Sequence, residues 1–302
     1  MTARRRPALF ILTAVAVGLV VGQGCGQIRL PGKIGDAAQK AKDASKIVKV
    51  VRSGFGDITE EEEYYIGRSV AALILSRYAV LDRPPLTQYL NTLGQAVVLA
   101  SDRPEIYAGW HFLVLDTDEV NALAAPGGLI FVTKGLLSLC PDEDTLAMIL
   151  AHEIGHITAK HGLQAIKKSR LTEAFTALGA QAAEAYGPAE LAQITSIFEG
   201  VLSDIVEKLV VNGYDRKSEH EADSLAVKIG AARGYDPNGL LRFLRTMVGD
   251  ASAVSGKGWF KTHPTPEQRL EKTKAEIGRL KTAPALEDVR TQRFQLAMAH
   301  GR

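Results

Sequence analysis

The residues with the most concentrated chemistry are His152-Glu153-Ile154-Gly155-His156. On a helix, side chains four apart share a face, so both imidazoles reach one point. Two imidazoles converging in this way bind a divalent ion, at roughly 2.0–2.1 Å per nitrogen for zinc. Glu153 stands one step round the helix, beside the ion without binding it, where it takes a proton from water. The preceding run, Leu146 to Ala151, is apolar on every side, which places this helix in a core. Burying three ionisable groups there without partners is costly, and a metal is the simplest compensation.

Two protein ligands do not complete a catalytic zinc site; three with a water do. The candidates for the third are His161, Glu219, His220, Glu221, Asp223 and His263. The zincin pattern with a glycine three residues and a histidine six residues after the second ligand fails, because those positions hold Ala159 and Gly162. A carboxylate downstream remains. In Arg216-Lys217-Ser218-Glu219-His220-Glu221-Ala222-Asp223, Glu219 and Asp223 share a helical face. There Glu219 can ligate while Asp223 holds a ligand histidine from behind. Taken alone, such a pair is common on solvated helix faces; its partnership with the first motif gives it meaning.

The elements that must carry these residues follow from pattern. Thr59-Glu60-Glu61-Glu62 reads as a capping box opening a helix over 60–80, broken by Pro84-Pro85, with a second helix over 86–100. Residues 111–115 and 129–133 read as strands, the latter after the turn Pro126-Gly127-Gly128 and expected to form the sheet edge. Asp142 caps the metal-bearing helix. Residues 171–211 are alanine-rich and expected to be mostly helical. Helices over 216–232 and 238–249, a loop over 251–261 and a last long helix from Thr265-Pro266-Glu267-Gln268 to about Leu280 complete the pattern.

The 302 residues include 46% hydrophobic and 23% charged side chains, an ordinary globular balance. A formal charge of +2 offers no electrostatic case for nucleic acid. Arg4, Arg5 and Arg6 before the uncharged run Ala8–Val21 have the pattern of a secretory signal, and Cys25 after it resembles a bacterial lipoprotein signal. The expected organisation is a signal over 1–24 with Cys25 as the lipid site, a tether over 25–57, a catalytic domain over 58–282 and a tail over 283–302. Cys140 is expected to be a buried apolar residue.

With these motifs side by side, the chain resembles the family-48 metallopeptidases, which include CAAX prenyl endopeptidases, HtpX-like membrane proteases and periplasmic relatives in envelope quality control. The resemblance runs from about residue 58 to 280. Beyond the two metal motifs it includes Asn121-Ala122 through Pro126-Gly127-Gly128, Thr133-Lys134-Gly135-Leu136-Leu137, His161, Arg216, Gly234-Tyr235-Asp236-Pro237, His263-Pro264 and Arg269. It implies an α+β, mainly helical gluzincin fold with a small sheet beside the active-site helix. It also implies one Zn2+ held by His152, His156 and Glu219, with Glu153 as general base and Asp223 behind the ligands. His263 would face the metal, stabilising the oxyanion or closing the site, and His161 and Arg216 would take supporting positions. The implied activity is hydrolysis of unfolded or misassembled envelope proteins, on the periplasmic side of a membrane that holds the chain by its lipid. The departures are a body without spanning segments and only about forty residues after His263, too few for the helical-repeat module of some relatives. A zinc-bound assembly or holdase factor with a closed site is the alternative.

Overall fold

The computed structural model describes residues 58–164, 206, 209, 213–249, 258–263, 266–280 and 287–299. The signal, Cys25, the tether and nearly all of the 171–211 segment lie outside the described residues, as does most of the 251–261 loop. No helix among the described residues is long and apolar enough to cross a membrane.

Helix α1 (Glu60–Leu75) starts where the capping signal places it. It ends five residues early, because Val80 leaves the helix to bridge Leu115 on the sheet. In α2 (Pro84–Val98) the two prolines occupy the first turn, where a missing N–H costs nothing. Leu86, Leu90, Leu93 and Val97 then bury one face.

Strands β1 (His111–Leu115), β2 (Ala122–Ala125) and β3 (Leu129–Thr133) form one sheet in the order β1-β3-β2. The β1–β3 pair is parallel and the β2–β3 pair antiparallel. The expectation that residues 129–133 form the edge is therefore corrected: β3 is central and its ladder is satisfied on both sides. Four small or apolar residues, Ala-Leu-Ala-Ala, make β2, which lies at one edge of the sheet among the described residues. Their alternation is too weak to announce a strand. The β2–β3 turn bends through Gly127 (φ 73°) and Gly128 (φ 86°), which only glycine adopts cheaply.

Thr133 ends β3 and caps α3 (Lys134–Leu139) by accepting from Leu136 N–H. Asp142 does the same for α4 (Glu143–Thr158), accepting from Thr145 N–H at 2.7 Å. Every residue of α4 from Glu143 to Ile157 is buried. A short helix α5 (His161–Gln164) follows Lys160, which turns the chain at φ 58°. Helices α6 (Arg216–Ala232), α7 (Asn238–Gly249), α8 (Trp259–Thr262) and α9 (Pro266–Ile277) close the site. Within the stretch expected as a tail, residues 287–299 form α10 (Glu287–Ala299), and Phe294 joins the main core.

The sheet separates two apolar layers. Phe112, Val114, Ile130 and Val132 face the core built from α2, α4, α6 and α7. Leu115, Leu123 and Phe131 face α1 and Tyr214. This period-two alternation is what locks α4 beneath the sheet. Helices α4 and α6 come close at Gly155, where an added Cβ would lie 3.1 Å from Ala222 O.

Candidate metal centre

Close packing of α4 on α6 brings His152, His156 and Glu219 together, and the end of α8 adds His263; all four are buried. His152 Nε2 lies 3.1 Å from His156 Nε2. Glu219 Oε2 is 3.6 Å from His152 Nε2, and Oε1 is 3.4 Å from His156 Nε2. His263 Nδ1 is 3.0 Å from Glu219 Oε1 and 3.4 Å from His152 Nε2.

These spacings test whether a metal fits. A tetrahedral ion with bonds of about 2.05 Å separates its ligand atoms by about 3.3–3.4 Å, the centre of the observed range. His152 Nδ1 faces Asp223 Oδ1 at 3.0 Å and donates to it, which turns its Nε2 into the cluster. Lone pairs of two imidazoles and a carboxylate at such distances repel unless a cation lies between them. The donor set of two or three nitrogens with one carboxylate oxygen suits zinc.

The surroundings fix each ligand. Arg269, wholly buried, donates to Asp223 through Nε (2.8 Å) and Nη2 (2.7 Å). Its Nη1 lies 2.9 Å from Glu219 Oε2 as an ion pair. Burial works against the Asp223 charge, but Arg269 outweighs it and holds this carboxyl far below the usual range. Glu219 is likewise held well below its ordinary value: burial opposes ionisation, and His263 and Arg269 overcome it. Burial keeps His156 neutral. His161 Nδ1 stands 3.0 Å behind His156 Nδ1, as Asp223 stands behind His152.

Glu153 is the odd member. Both of its carboxylate oxygens are buried and hydrogen-bond to nothing among the described residues. His263 Nε2 lies 3.6 Å from its Oε1. Burial pushes its carboxyl above 4.5, with His263 and His152 opposing. A carboxylate so placed gains from accepting a proton.

Among the sequence candidates, the structure gathers His152, His156, Glu219 and His263 in one cluster, with Glu153 beside it and Asp223 and His161 behind it. Arg216 is exposed at the first turn of α6, and His220 and Glu221 point elsewhere. Three neighbours carried no spacing signal. Tyr214 stacks on His156 at 4.0 Å and 18°, and Trp259 stacks on His263 at 4.0 Å and 24°. Arg269 was legible only as part of the family resemblance, with no role attached.

Comparison with known proteins agrees with this geometry. The model of peptidase family M48 matches residues 84–277. The beta-barrel assembly-enhancing protease of Escherichia coli (strain K12) is 27% identical over 243 residues, covering 78% of this chain and 48% of that protein. The mitochondrial metalloendopeptidase OMA1 of Schizosaccharomyces pombe is 26% identical over 226 residues, 73% of this chain and 63% of that protein. The metalloprotease YcaL of Escherichia coli is 28% identical over 170 residues, 55% of this chain and 62% of that protein. The chain thus spans about half the length of the beta-barrel assembly-enhancing protease it matches. A family match that runs from α2 to the end of α9 covers both the histidine and the carboxylate motifs and the helices that carry them: the chain belongs to peptidase family M48.

Proposed function

We propose that the protein is a zinc-dependent metalloendopeptidase of the bacterial cell envelope that cleaves unfolded or misassembled proteins. The observation that carries this reading is Glu153, a buried carboxylate whose oxygens have no hydrogen bond among the described residues, beside four side chains whose atoms could hold one metal ion. His152, His156 and Glu219 would hold the zinc, whose presence polarises a carbonyl and lowers the pKa of water to about 7. Glu153 accepts a proton from the attacking water as its oxygen bonds to the substrate carbonyl carbon. It then returns that proton to the amide nitrogen as the C–N bond breaks. Asp223 and His161 keep the two imidazoles in the tautomer and orientation that ligate.

The substrate lane is the edge of β2 that faces away from β3; Ala122 (0% exposed) and Ala124 (3% exposed) are buried there, so an incoming strand must first open that edge. Thr133 N–H donates to Asn121 O, which makes 121/133, 123/131 and 125/129 the bonded pairs of the antiparallel ladder. The N–H and C=O of Ala124 and the C=O of Ala122 therefore point away from β3. An extended chain adds to them by backbone bonds alone, which suits unfolded protein of varied sequence. The basic start, the apolar run and Cys25 support export and a lipid anchor on the periplasmic face, with residues 58–282 as the catalytic domain.

The test is Glu153→Gln with metal content measured beside cleavage of an unfolded protein. The variant should keep its zinc and lose cleavage by several orders of magnitude. Equal cleavage by both forms would remove Glu153 from the mechanism.

One observation supports a second reading. His263 Nδ1 stands among the ligand atoms and would complete a four-ligand set, leaving no corner for water. A site closed in this way belongs to a latent protease or to a zinc-bound assembly factor. His263→Ala separates them: chelator-sensitive fragments that appear or increase mark a latent peptidase, and binding without fragments marks the assembly factor.

A further inference from the structure

We propose that the Tyr214 hydroxyl is the hydrogen-bond donor to the carbonyl oxygen of the peptide bond being cleaved. The proposal rests on the peptidase reading above and adds a residue to it.

Tyr214 is 4% exposed, and its hydroxyl is buried with no hydrogen-bond partner among the described residues. Buried phenol hydroxyls nearly always find a partner, so an orphan calls for a reason. The ring lies against the metal cluster, stacked on His156 and 6.3 Å from His263. Its main chain is fixed there by Tyr214 N–H donating to Thr262 O at 3.0 Å. The hydroxyl points toward the end of the edge strand. A Cβ built on Gly162 would lie 3.6 Å from the Tyr214 oxygen and 3.4 Å from Pro126, the residue that follows β2. The ring thus lies against the ligand candidate His156, and its hydroxyl lies across Gly162 from Pro126 at the end of β2.

The cluster thus holds an orphan acceptor, Glu153, and an orphan donor, Tyr214. Hydrolysis needs both: a base for the water proton and a donor for the oxygen that gains charge. The other unpaired donors nearby are engaged or remote from the lane. Arg269 Nη1 faces Glu219 at 2.9 Å, and Trp259, whose Nε1 also has no hydrogen bond among the described residues, is packed between His263 at 4.0 Å and Phe243 at 4.9 Å. His263 spends Nδ1 on Glu219 and turns Nε2 toward Glu153. Tyr214 is the donor without a hydrogen bond among the described residues that stacks on His156.

The experiment is Tyr214→Phe in the full zinc-loaded chain, assayed on an unfolded protein and with a phosphinic peptide whose charged oxygen mimics the transition state. The variant should keep its zinc and its thermal midpoint, because it loses a hydroxyl that bonds to nothing. Its kcat should fall about a hundredfold with little change in KM. The Kd of the phosphinic peptide should weaken by a similar factor. An unchanged kcat and Kd, or a change confined to KM, would overturn the proposal. If the wild-type chain cleaves nothing, the peptidase reading fails by itself, while phosphinic-peptide affinity still reports whether the hydroxyl binds the charged oxygen.

Discussion

Asp223 Oδ1 sits 3.0 Å from His152 Nδ1, on the side of the imidazole facing away from the other ligand atoms. Asp223 is itself gripped by two bonds from Arg269. The chain Arg269–Asp223–His152 thus converts a rotatable imidazole into a fixed donor. Asp223→Ala should weaken zinc binding by about 10–100-fold, measured by competition with a chromogenic chelator. Asp223→Asn can still accept from Nδ1–H and should lose less. Equal affinity in all three proteins would mean that packing alone orients His152.

The same carboxylate sets a pH limit. Asp223 titrates well below its ordinary 3.8 in the folded protein. Its contribution to stability is complete above that ordinary value and fades as pH falls beneath it toward the folded value. Metal-free wild type should therefore lose stability more steeply than metal-free Asp223→Asn from about pH 4 downward. Urea unfolding at a series of pH values measures the difference. Parallel curves would mean that other groups dominate the acid limb.

How much of this could be read in the residues follows from which signals are local. The helix of His152 and His156 was legible because the histidine spacing, an N-cap and an apolar run coincide within α4. Glu219 was legible because its partner Asp223 lies four residues away on the same face. The sheet order was not legible. Strand β2 is four small or apolar residues, all buried, and which strand lies at the edge depends on pairings that no local pattern encodes. Tyr214 escaped notice because stacking on His156 crosses 58 residues of chain and leaves no periodicity. The arginines of α10 escaped for the same reason, since their partners Glu143 and Asp144 lie some 150 residues earlier in sequence.

Helix contact sets the distance of His152 and His156 on α4 from Glu219 on α6. A Cβ at Gly155 would meet Ala222 O at 3.1 Å and Ala222 Cα at 3.3 Å, tighter than ordinary contact. Gly155→Ala should cost about 1–3 kcal/mol by overpacking, despite alanine's better helix propensity. It should also weaken zinc binding, because the displaced α6 carries Glu219. Gly162→Ala is the control: its Cβ would sit at ordinary distances, 3.4 Å or more, and zinc affinity should hold. If Gly155→Ala binds zinc as wild type does, the α4–α6 approach has slack.

At its far end, α4 is held by the last helix. Asp144 is buried and accepts from Arg290 Nη1 at 2.7 Å and from Asp236 N–H at 2.8 Å. Glu143, wholly buried, accepts from Arg293 and from the Tyr89 hydroxyl at 3.0 Å. Arg290 also covers the Tyr235 ring at 4.5 Å and donates to Gly234 O at 2.8 Å. Removing one partner of a buried pair leaves an uncompensated charge, so Arg290→Met should cost about 3–5 kcal/mol in urea unfolding. Arg293 is half exposed, and its loss should cost less than that of Arg290. Adding Asp144→Asn to Arg290→Met should recover part of the loss, because the stranded charge is gone. A double variant no more stable than Arg290→Met would show that Arg290 acts through Tyr235 and Gly234 rather than through the carboxylate that opens the active-site helix.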